Sequence, residues 1–181
     1  MSKSRGEFVP AQLAVLTVSD SRTDADDTSG DYLREAAHEA GHKVVVSRIV
    51  KDNRYQIRAV VSAWIADPDV QAILINGGTG FSAHNTTPEA LRPLFDREIE
   101  GFGELFRMAS YEEIGTSTIQ SRAIGGIANQ TVIFAMPGST RACRTAWERI
   151  IAEQLDARHG PCNFIPHLKA LPQADAPDTT E

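Results

Sequence analysis

The chain has 181 residues, of which 41% are hydrophobic and 23% charged, a composition typical of a soluble globular protein that is long enough to bury a core. Because 24 acidic residues outnumber 18 basic ones, giving a net charge of −6, the sequence argues against nucleic acid as the main partner. It predicts neither a membrane span nor a signal peptide, and its two cysteines have no CxxC spacing, so we expect a cytoplasmic protein.

Four short segments rich in Val and Ile predict buried strands. They cover residues 13–19, 43–50, 70–76 and 131–136. Such nearly continuous apolar runs are typical of strands that are buried on both faces of a parallel sheet.

Amphipathic helices are predicted between and after these strands. The first begins at the capping signal Asp27-Thr28 and stops at Gly41, and the second carries apolar residues at helical spacing over 57–65. The last helix follows an N-cap candidate at Ser139-Thr140. Cys143 lies on the apolar stripe of that helix, which predicts a buried thiol.

The middle of the chain, residues 87–126, is less regular, and we expect two short helices and a small strand or turn there. Right-handed crossovers would lay the strands into a mostly parallel central sheet with helices on both faces, a three-layer α/β/α architecture. We expect a single domain at residues 10–168. The termini, 1–9 and 169–181, are predicted to be flexible, since the C-terminal segment contains several Pro and acidic residues.

Three strand ends carry unusual loops that would meet at one edge of this sheet. Residues 19–30 are polar and acidic, residues 77–80 read GGTG, and residues 136–140 read MPGST and lead into a helix. Open parallel sheets bind ligands beyond the carboxyl ends of their strands, where glycine loops and helix N-termini can direct several N–H groups at one anion. Either glycine loop alone is explained as a tight turn without a ligand, whereas both at one edge predict an anion-binding cleft. The absence of a P-loop motif, and of GxGxxG after the first strand, disfavours P-loop NTPases and Rossmann-type dinucleotide enzymes.

Five segments taken together resemble the MoaB/Mog family of molybdenum cofactor biosynthesis proteins. They are TVSDSR at 17–22, DDTSG at 26–30, NGGTG at 76–80, TPEA at 87–90 and FAMPGST at 134–140. The likeness runs from about residue 13 to 168, and residues 51–65 and 101–123 look more like the MoaB branch than the Mog branch. The resemblance implies a molybdopterin-binding α/β fold that assembles into homotrimers or homohexamers. It leaves open other molybdenum cofactor biosynthesis proteins as partners.

The resemblance also implies a reaction, in which the terminal phosphate of molybdopterin attacks the α-phosphate of Mg-ATP and yields adenylylated molybdopterin and pyrophosphate. Such a transfer depends on positioning and on charge neutralisation, by preorganised donors and by Mg²⁺ held on carboxylates. The residues that the resemblance assigns to ligand binding are Ser19, Asp20, Gly77, Gly78, Thr79, Gly80, Ser121, Arg122, Pro137, Gly138 and Ser139.

Two further positions match the pair of aspartates that the family uses around Mg²⁺ and the phosphates, and the resemblance implies catalytic roles for both. Asp52 matches the first and is the implied metal ligand, whereas the second position is Asn85 in this chain. Asparagine keeps one acceptor oxygen but lacks the negative charge, so it is a poorer ligand for Mg²⁺. The sequence therefore leaves three functions open: an adenylyltransferase-like enzyme, an inactive molybdopterin-binding or carrier protein, and a structural oligomer with a vestigial cleft.

Several polar residues also have a purely structural explanation. Asp52 stands where the second helix begins and is also explained as its cap. The acidic turn at 24–27 is better explained as an exposed loop than as a metal site, and His84 as a solvated loop residue. Glu104 and Arg107, on a predicted helix of the middle region, fit a partly buried structural or subunit contact as well as they fit a site.

Overall fold

The computed structural model describes residues 6–171, which are organised around one six-stranded sheet. The strands are β1 (Gln12–Val18), β2 (Lys43–Val50), β3 (Ala72–Asn76), β4 (Arg97–Glu98), β5 (Ile124–Ala128) and β6 (Thr131–Met136). The helices are α1 (Thr28–Glu39), α2 (Arg54–Ala66), α3 (Thr87–Leu91), α4 (Glu100–Ile114), α5 (Thr140–Ala146) and α6 (Ala152–Gln154), with a π-helical turn at Trp147–Ile151 between the last two. Short 3₁₀ turns lie at Arg92–Leu94, Gly115–Gln120 and Ile165–His167.

The strand order in the sheet is β2-β1-β3-β6-β5-β4. The first four strands in this order run parallel, whereas β5 is antiparallel to β6 and β4 is antiparallel to β5. The carboxyl ends of β1, β3 and β6, which are neighbours, therefore open at one edge. This arrangement confirms the prediction of a mostly parallel sheet.

Each face of the sheet packs against its own helices, which confirms the three-layer α/β/α prediction. Along β1, Leu13 and Val15 join the core cluster shared with α1, α4 and α5, whereas Ala14 and Leu16 join the cluster shared with α2 and α3. Because successive side chains of a strand point to opposite faces, a strand covered on both sides is apolar throughout. Within residues 6–171, no helix is long and apolar enough to cross a membrane.

The middle region differs in detail from the prediction of two short helices and one small strand or turn. It contains the five-residue α3, the fifteen-residue α4 and two strands, β4 and β5. Phe102, Phe106 and Ala109 repeat at helical spacing and are buried, so packing against the sheet sustains a longer helix than expected. The sequence signal for β5 is weak because Gly125 and Gly126 are two of its five residues.

The predicted helix boundaries at Asp27, Gly41 and Ser139 are confirmed. The Oδ1 of Asp27 accepts the N–H of Gly30 at 3.0 Å, and the Oγ of Ser139 accepts the N–H of Ala142 at 3.2 Å, so both residues are N-caps. Gly41 follows the C-cap of α1 with a φ of +92°, in the region that favours glycine.

The explanation of Asp52 as the cap of α2 is wrong, because the neighbouring Asn53 has that role. Its Oδ1 accepts the N–H groups of Tyr55 and Gln56 at 3.0 and 3.1 Å. Cys143 is fully buried, as predicted, and this burial raises the pKa of its thiol to about 12.

The segments predicted to be flexible, 1–9 and 169–181, lie largely outside the described residues, which exclude 1–5 and 172–181. Lys169 is described, and its Nζ donates to the carbonyls of Ile65 and Asp67, both at 2.9 Å. These carbonyls belong to the C-terminal end of α2, where a cation is favourable to the helix dipole.

Candidate functional site

A cleft of about 480 Å³ opens where β1, β3 and β6 end. Its lining comes from the three predicted loops and from the 3₁₀ turn that follows α4. The predicted site residues that line it are Ser19, Gly77, Gly78, Thr79, Gly80, Asn85, Ser121, Pro137 and Gly138. The fold thus brings together most of the residues that the family resemblance assigned, in a cleft of the size that small molecules occupy.

Four predicted site residues lie behind or beside the cleft instead. Asp20 is exposed, and its Oδ1 accepts the N–H of Asp52 at 3.1 Å. Ser139 caps α5 and lines a neighbouring cavity of about 120 Å³. Asp52 and Arg122 both hydrogen-bond to Asn85, in the segment that follows the GGTG loop.

Close packing and backbone conformation explain why the loop begins with two glycines. Gly77 and Gly78 have φ angles of +100° and +67°. A Cβ atom at Gly77 would collide with the carbonyl oxygen of Val18, and one at Gly78 with the hydroxyl of Thr87. Thr87 also fixes the loop from behind, since its Oγ1 donates to the Gly77 carbonyl at 2.9 Å and its N–H to the Gly78 carbonyl at 3.0 Å.

The same loop has main-chain N–H groups without a partner in the described protein. Among the described residues, none accepts a hydrogen bond from the main-chain N–H of Gly78, Thr79 or Gly80, and all three residues line the cleft. Consecutive N–H groups of this kind form a nest that binds anions. Gly138 packs against Gly77, immediately before the N-cap of α5, so the positive end of that helix also lies close to the cleft.

Five polar residues of the lining were not predicted: Thr17, Arg22, Asn76, Ser117 and Gln120. Arg22 brings a positive charge to the cleft. Its Nη1 donates to the carbonyl of Asp26 at 2.9 Å and to the hydroxyl of Thr28 at 3.1 Å, which orients the side chain. A signal was available for this residue, because Arg22 is the last residue of the TVSDSR segment that contributes to the family resemblance.

A buried polar network supports the floor of the cleft. Asn76 Nδ2 donates to Thr17 Oγ1 at 2.8 Å, and Thr17 Oγ1 donates to Asp27 Oδ2 at 2.6 Å. Each of the three residues is 1% exposed. The expectation of an exposed acidic turn is therefore wrong for Asp27, although Asp24 and Asp26 are exposed. In the described part of the chain, no cluster of three or more His, Cys, Asp or Glu residues is placed to hold a metal ion.

Ser121 contributes an unpaired hydroxyl to the wall of the cleft. Its Oγ is buried and has no hydrogen-bond partner within residues 6–171. Buried polar side-chain atoms nearly always have a partner, so an unpaired one in a cleft suits a ligand that supplies the missing group.

Asp52 and Asn85 are in direct contact at the rim of the cleft. Asn85 Nδ2 donates to Asp52 Oδ2 at 3.1 Å, while Thr86 donates to Asp52 Oδ1 from its N–H at 3.0 Å and its hydroxyl at 2.9 Å. The other side of the Asn85 amide is fixed too, because its Oδ1 accepts the hydroxyl of Ser82 at 2.8 Å. Both oxygens of Asp52 are thus already used by protein donors.

This arrangement does not fit a Mg²⁺ ion shared between positions 52 and 85. The amide N–H of Asn85 points at the Asp52 carboxylate, so a neutral donor already supplies the contact that a cation would make. Two carboxylates at that separation would repel each other unless a cation or a proton lay between them. Asparagine at position 85 therefore removes one negative charge, and with it the repulsion that a cation between the two side chains would relieve.

The remaining predicted polar residues contribute little to the cleft. His84 is exposed, as expected. Glu104 is exposed and Arg107 half-buried; within residues 6–171 no ion pair joins them, and both line a separate cavity of about 610 Å³ beside α4.

Comparison with known proteins agrees with this geometry. Residues 14–157 match the model of a protein family described as a probable molybdopterin binding domain. The chain is 68% identical over 169 residues to molybdenum cofactor biosynthesis protein B of Escherichia coli K12, which covers 93% of this chain and 99% of that protein. These likenesses confirm the resemblance that the five sequence segments indicated.

Solved structures extend the likeness to three dimensions. A crystal structure of molybdenum cofactor biosynthesis protein B has a TM-score of 0.79 and 47% identity, over 81% of this chain and 92% of that one. The tungsten cofactor synthesizing protein MoaB from Pyrococcus furiosus has a TM-score of 0.72 and 33% identity, over 80% and 92%. The predicted fold class is thereby confirmed a second time.

Proposed function

The chain belongs to the family of molybdopterin-binding domains, and from that membership we propose that it works in molybdenum cofactor biosynthesis by binding molybdopterin in the cleft. The observation that carries the proposal is the convergence of three strand-end loops on one cleft with unpaired N–H groups. Molybdopterin is an anion through its terminal phosphate, and a nest of N–H groups beside a helix N-terminus is suited to that group.

We assign the phosphate to the N–H groups of Gly78, Thr79 and Gly80, with the positive charge of Arg22 nearby. The polar edge of the pterin ring would then reach the wall of the cleft, where the Ser121 hydroxyl lacks a partner. Gln120, which also lines this wall, can both donate and accept hydrogen bonds.

Adenylyl transfer is the second candidate, and the retained carboxylate of Asp52 at the rim favours it. Mg²⁺ bound together with ATP would neutralise the negative charges of the phosphates. The residues present do not form the two-carboxylate site, because Asn85 occupies one carboxylate position and donates to the other. We therefore propose that this chain binds molybdopterin tightly and transfers adenylyl groups slowly or not at all.

The binding proposal is tested by anaerobic titration of the protein with freshly prepared molybdopterin, comparing wild type with Ser121→Ala. Removing a hydroxyl that has no partner in the unliganded protein leaves the free energy of unfolding unchanged or raises it. Loss of a hydrogen bond to the ligand would weaken affinity about tenfold. Ser62→Ala, on the exposed face of α2, is the matched control. Equal affinity for all three proteins would remove Ser121 from the site, and no binding by wild type would refute the proposed function.

Pyrophosphate release from Mg-ATP in the presence of molybdopterin separates the two candidates. We expect wild type to release little and Asn85→Asp to release more, because the variant restores the carboxylate pair. Comparable turnover by both proteins would show that the adenylyltransferase reaction tolerates asparagine, and the enzyme would become the leading function. Assembly into homotrimers or homohexamers, contact with other cofactor biosynthesis proteins and a cytoplasmic location stay predictions.

A further inference from the structure

The guanidinium of Arg122 fastens the segment that follows the glycine loop. Its Nε and Nη2 donate to the carbonyl of Gly80 at 3.0 and 2.7 Å, and Nη2 also donates to the carbonyl of Asn85 at 2.8 Å. Nη1 donates to Oε1 of Glu89. The main chain adds another link, since the N–H of Arg122 donates to the carbonyl of Thr79 at 3.2 Å.

These contacts engage all three nitrogens of the guanidinium. An arginine with its nitrogens so engaged cannot also hold a phosphate through a two-pronged fork unless it releases the loop. We infer that Arg122 is a positioning residue, which holds residues 79–86 in the conformation that receives the ligand without contacting the ligand itself. The inference rests on the proposed function, since the ligand is molybdopterin.

The contacts around Arg122 fit an arginine side chain better than a lysine side chain. A planar fork can bridge two carbonyls and a carboxylate at once, whereas a lysine ammonium is a point charge. The ring of Phe81 lies 5.3 Å from the guanidinium carbon and covers its face. Partial burial acts to raise the pKa of Glu89, but the hydrogen bond and charge of Arg122 outweigh it and hold that pKa below its usual range.

These bonds of Arg122 matter for binding because Asp52 holds the segment only at Asn85 and Thr86. Within residues 6–171, Arg122 alone supplies a hydrogen bond to residues 80–84 from outside the segment. Inside it, the N–H of Asn85 donates to the Ser82 carbonyl at 2.9 Å, and the main-chain N–H of Gly80 is left for the ligand. Without the fork, the ligand would have to order these residues, and the lost conformational entropy would be subtracted from the binding free energy.

The test compares wild type, Arg122→Lys and Arg92→Lys. Arg92 is the matched control, because it forms an exposed ion pair with Glu98 at 3.5 Å and has no contact with the loop. We expect Arg122→Lys to bind molybdopterin about 10- to 100-fold more weakly. In the unliganded protein, amide hydrogen exchange of residues 79–86 should become faster while exchange in the central strands stays the same. The control should match wild type in both measurements.

Two results would overturn the inference. Weaker binding without faster exchange in residues 79–86 would mean that Arg122 contacts the ligand directly, and faster exchange with unchanged affinity would mean that loop order is irrelevant to binding. Glu89→Gln combined with Arg122→Lys should be no worse than Arg122→Lys alone, because the two residues share one contact. If wild type itself fails to bind molybdopterin, the proposed function falls. The exchange comparison then decides the role by itself: faster exchange supports a loop-ordering Arg122, and unchanged exchange refutes it.

Discussion

Two walls of the cleft are built by different means. The glycine wall, residues 77–80 and 137–139, is made of main chain that is locked between strand ends, and a Cβ atom at Gly77 cannot fit there. The polar rim, consisting of Asp52, loop 81–86, Glu89 and Arg122, is held by side-chain hydrogen bonds close to the surface. The glycine wall therefore comes with the fold, whereas single substitutions can change the chemistry of the rim, as asparagine at position 85 does.

The largest effect should come from breaking the glycine wall with Gly77→Ala. Alanine would be strained at a φ of +100° and would collide with the Val18 carbonyl, so we expect the free energy of unfolding to fall by about 3 kcal/mol or more. Molybdopterin binding should be lost. Urea unfolding and ligand titration measure the two effects.

Gly101→Ala is the matched control for this change. Gly101 lies in α4, where an added Cβ meets no atom within 4 Å, so alanine should stabilise the protein by up to about 1 kcal/mol. A stable Gly77→Ala protein that still bound molybdopterin would contradict the view that this wall is fixed by backbone conformation.

A somewhat smaller effect should follow from Thr17→Val, which removes support beneath the glycine wall. The substitution removes the hydroxyl that donates to Oδ2 of Asp27 and accepts from the Asn76 amide, and we expect a loss of about 2 kcal/mol in the free energy of unfolding. Thr131→Val is the control, because the Thr131 hydroxyl donates only to a neutral carbonyl, that of Val70 at 3.2 Å. Its loss should be about 1 kcal/mol, with no change in ligand affinity. Equal losses in both variants would show that the Thr17 hydroxyl contributes no more to the free energy of unfolding than a hydroxyl bonded to a neutral carbonyl.

The effect of Asn85→Asp, a substitution in the rim, on the free energy of unfolding should depend on divalent cations. Without them, two carboxylates face each other and the free energy of unfolding should fall by about 1 kcal/mol. Millimolar Mg²⁺ should restore stability in the variant and leave wild type unchanged, as measured by thermal unfolding with and without MgCl₂. A Mg²⁺-dependent shift in wild type would instead mean that Asp52 binds the metal by itself.

The contrast between the glycine wall and the polar rim also explains which features of the molecule could be predicted from the sequence. The four parallel strands, the caps at Asp27 and Ser139, and the glycine wall were predictable, because apolar runs, cap residues and glycine loops are local patterns. The network of Thr17, Asn76 and Asp27 was not, since it joins residues from three separate segments through buried hydrogen bonds. The family resemblance pointed to the rim by position alone, and only the structure shows which atoms touch.

The smallest expected effect concerns His42, which lies far from both walls, immediately before β2. This residue is a polar group that serves only the fold, so it can be compared with the polar groups of the rim. His42 is 4% exposed, and its Nδ1 accepts the N–H of Ala11 at 3.1 Å, which requires a neutral ring. Burial lowers the pKa of His42, against a weaker opposing influence from the charge of Asp156.

Below about pH 6.5, the ordinary pKa of histidine, the unfolded chain takes up this proton more readily than the folded one. The contribution of His42 to stability is therefore complete above that pH and is lost as the pH falls toward the lowered folded pKa. We expect a decline in the free energy of unfolding that His42→Gln abolishes, as measured by urea unfolding between pH 7.5 and 5. Molybdopterin affinity in that variant should equal that of wild type. A parallel loss of affinity would show that this edge of the sheet is coupled to the cleft, and that the rim is not the only part of the molecule through which function can change.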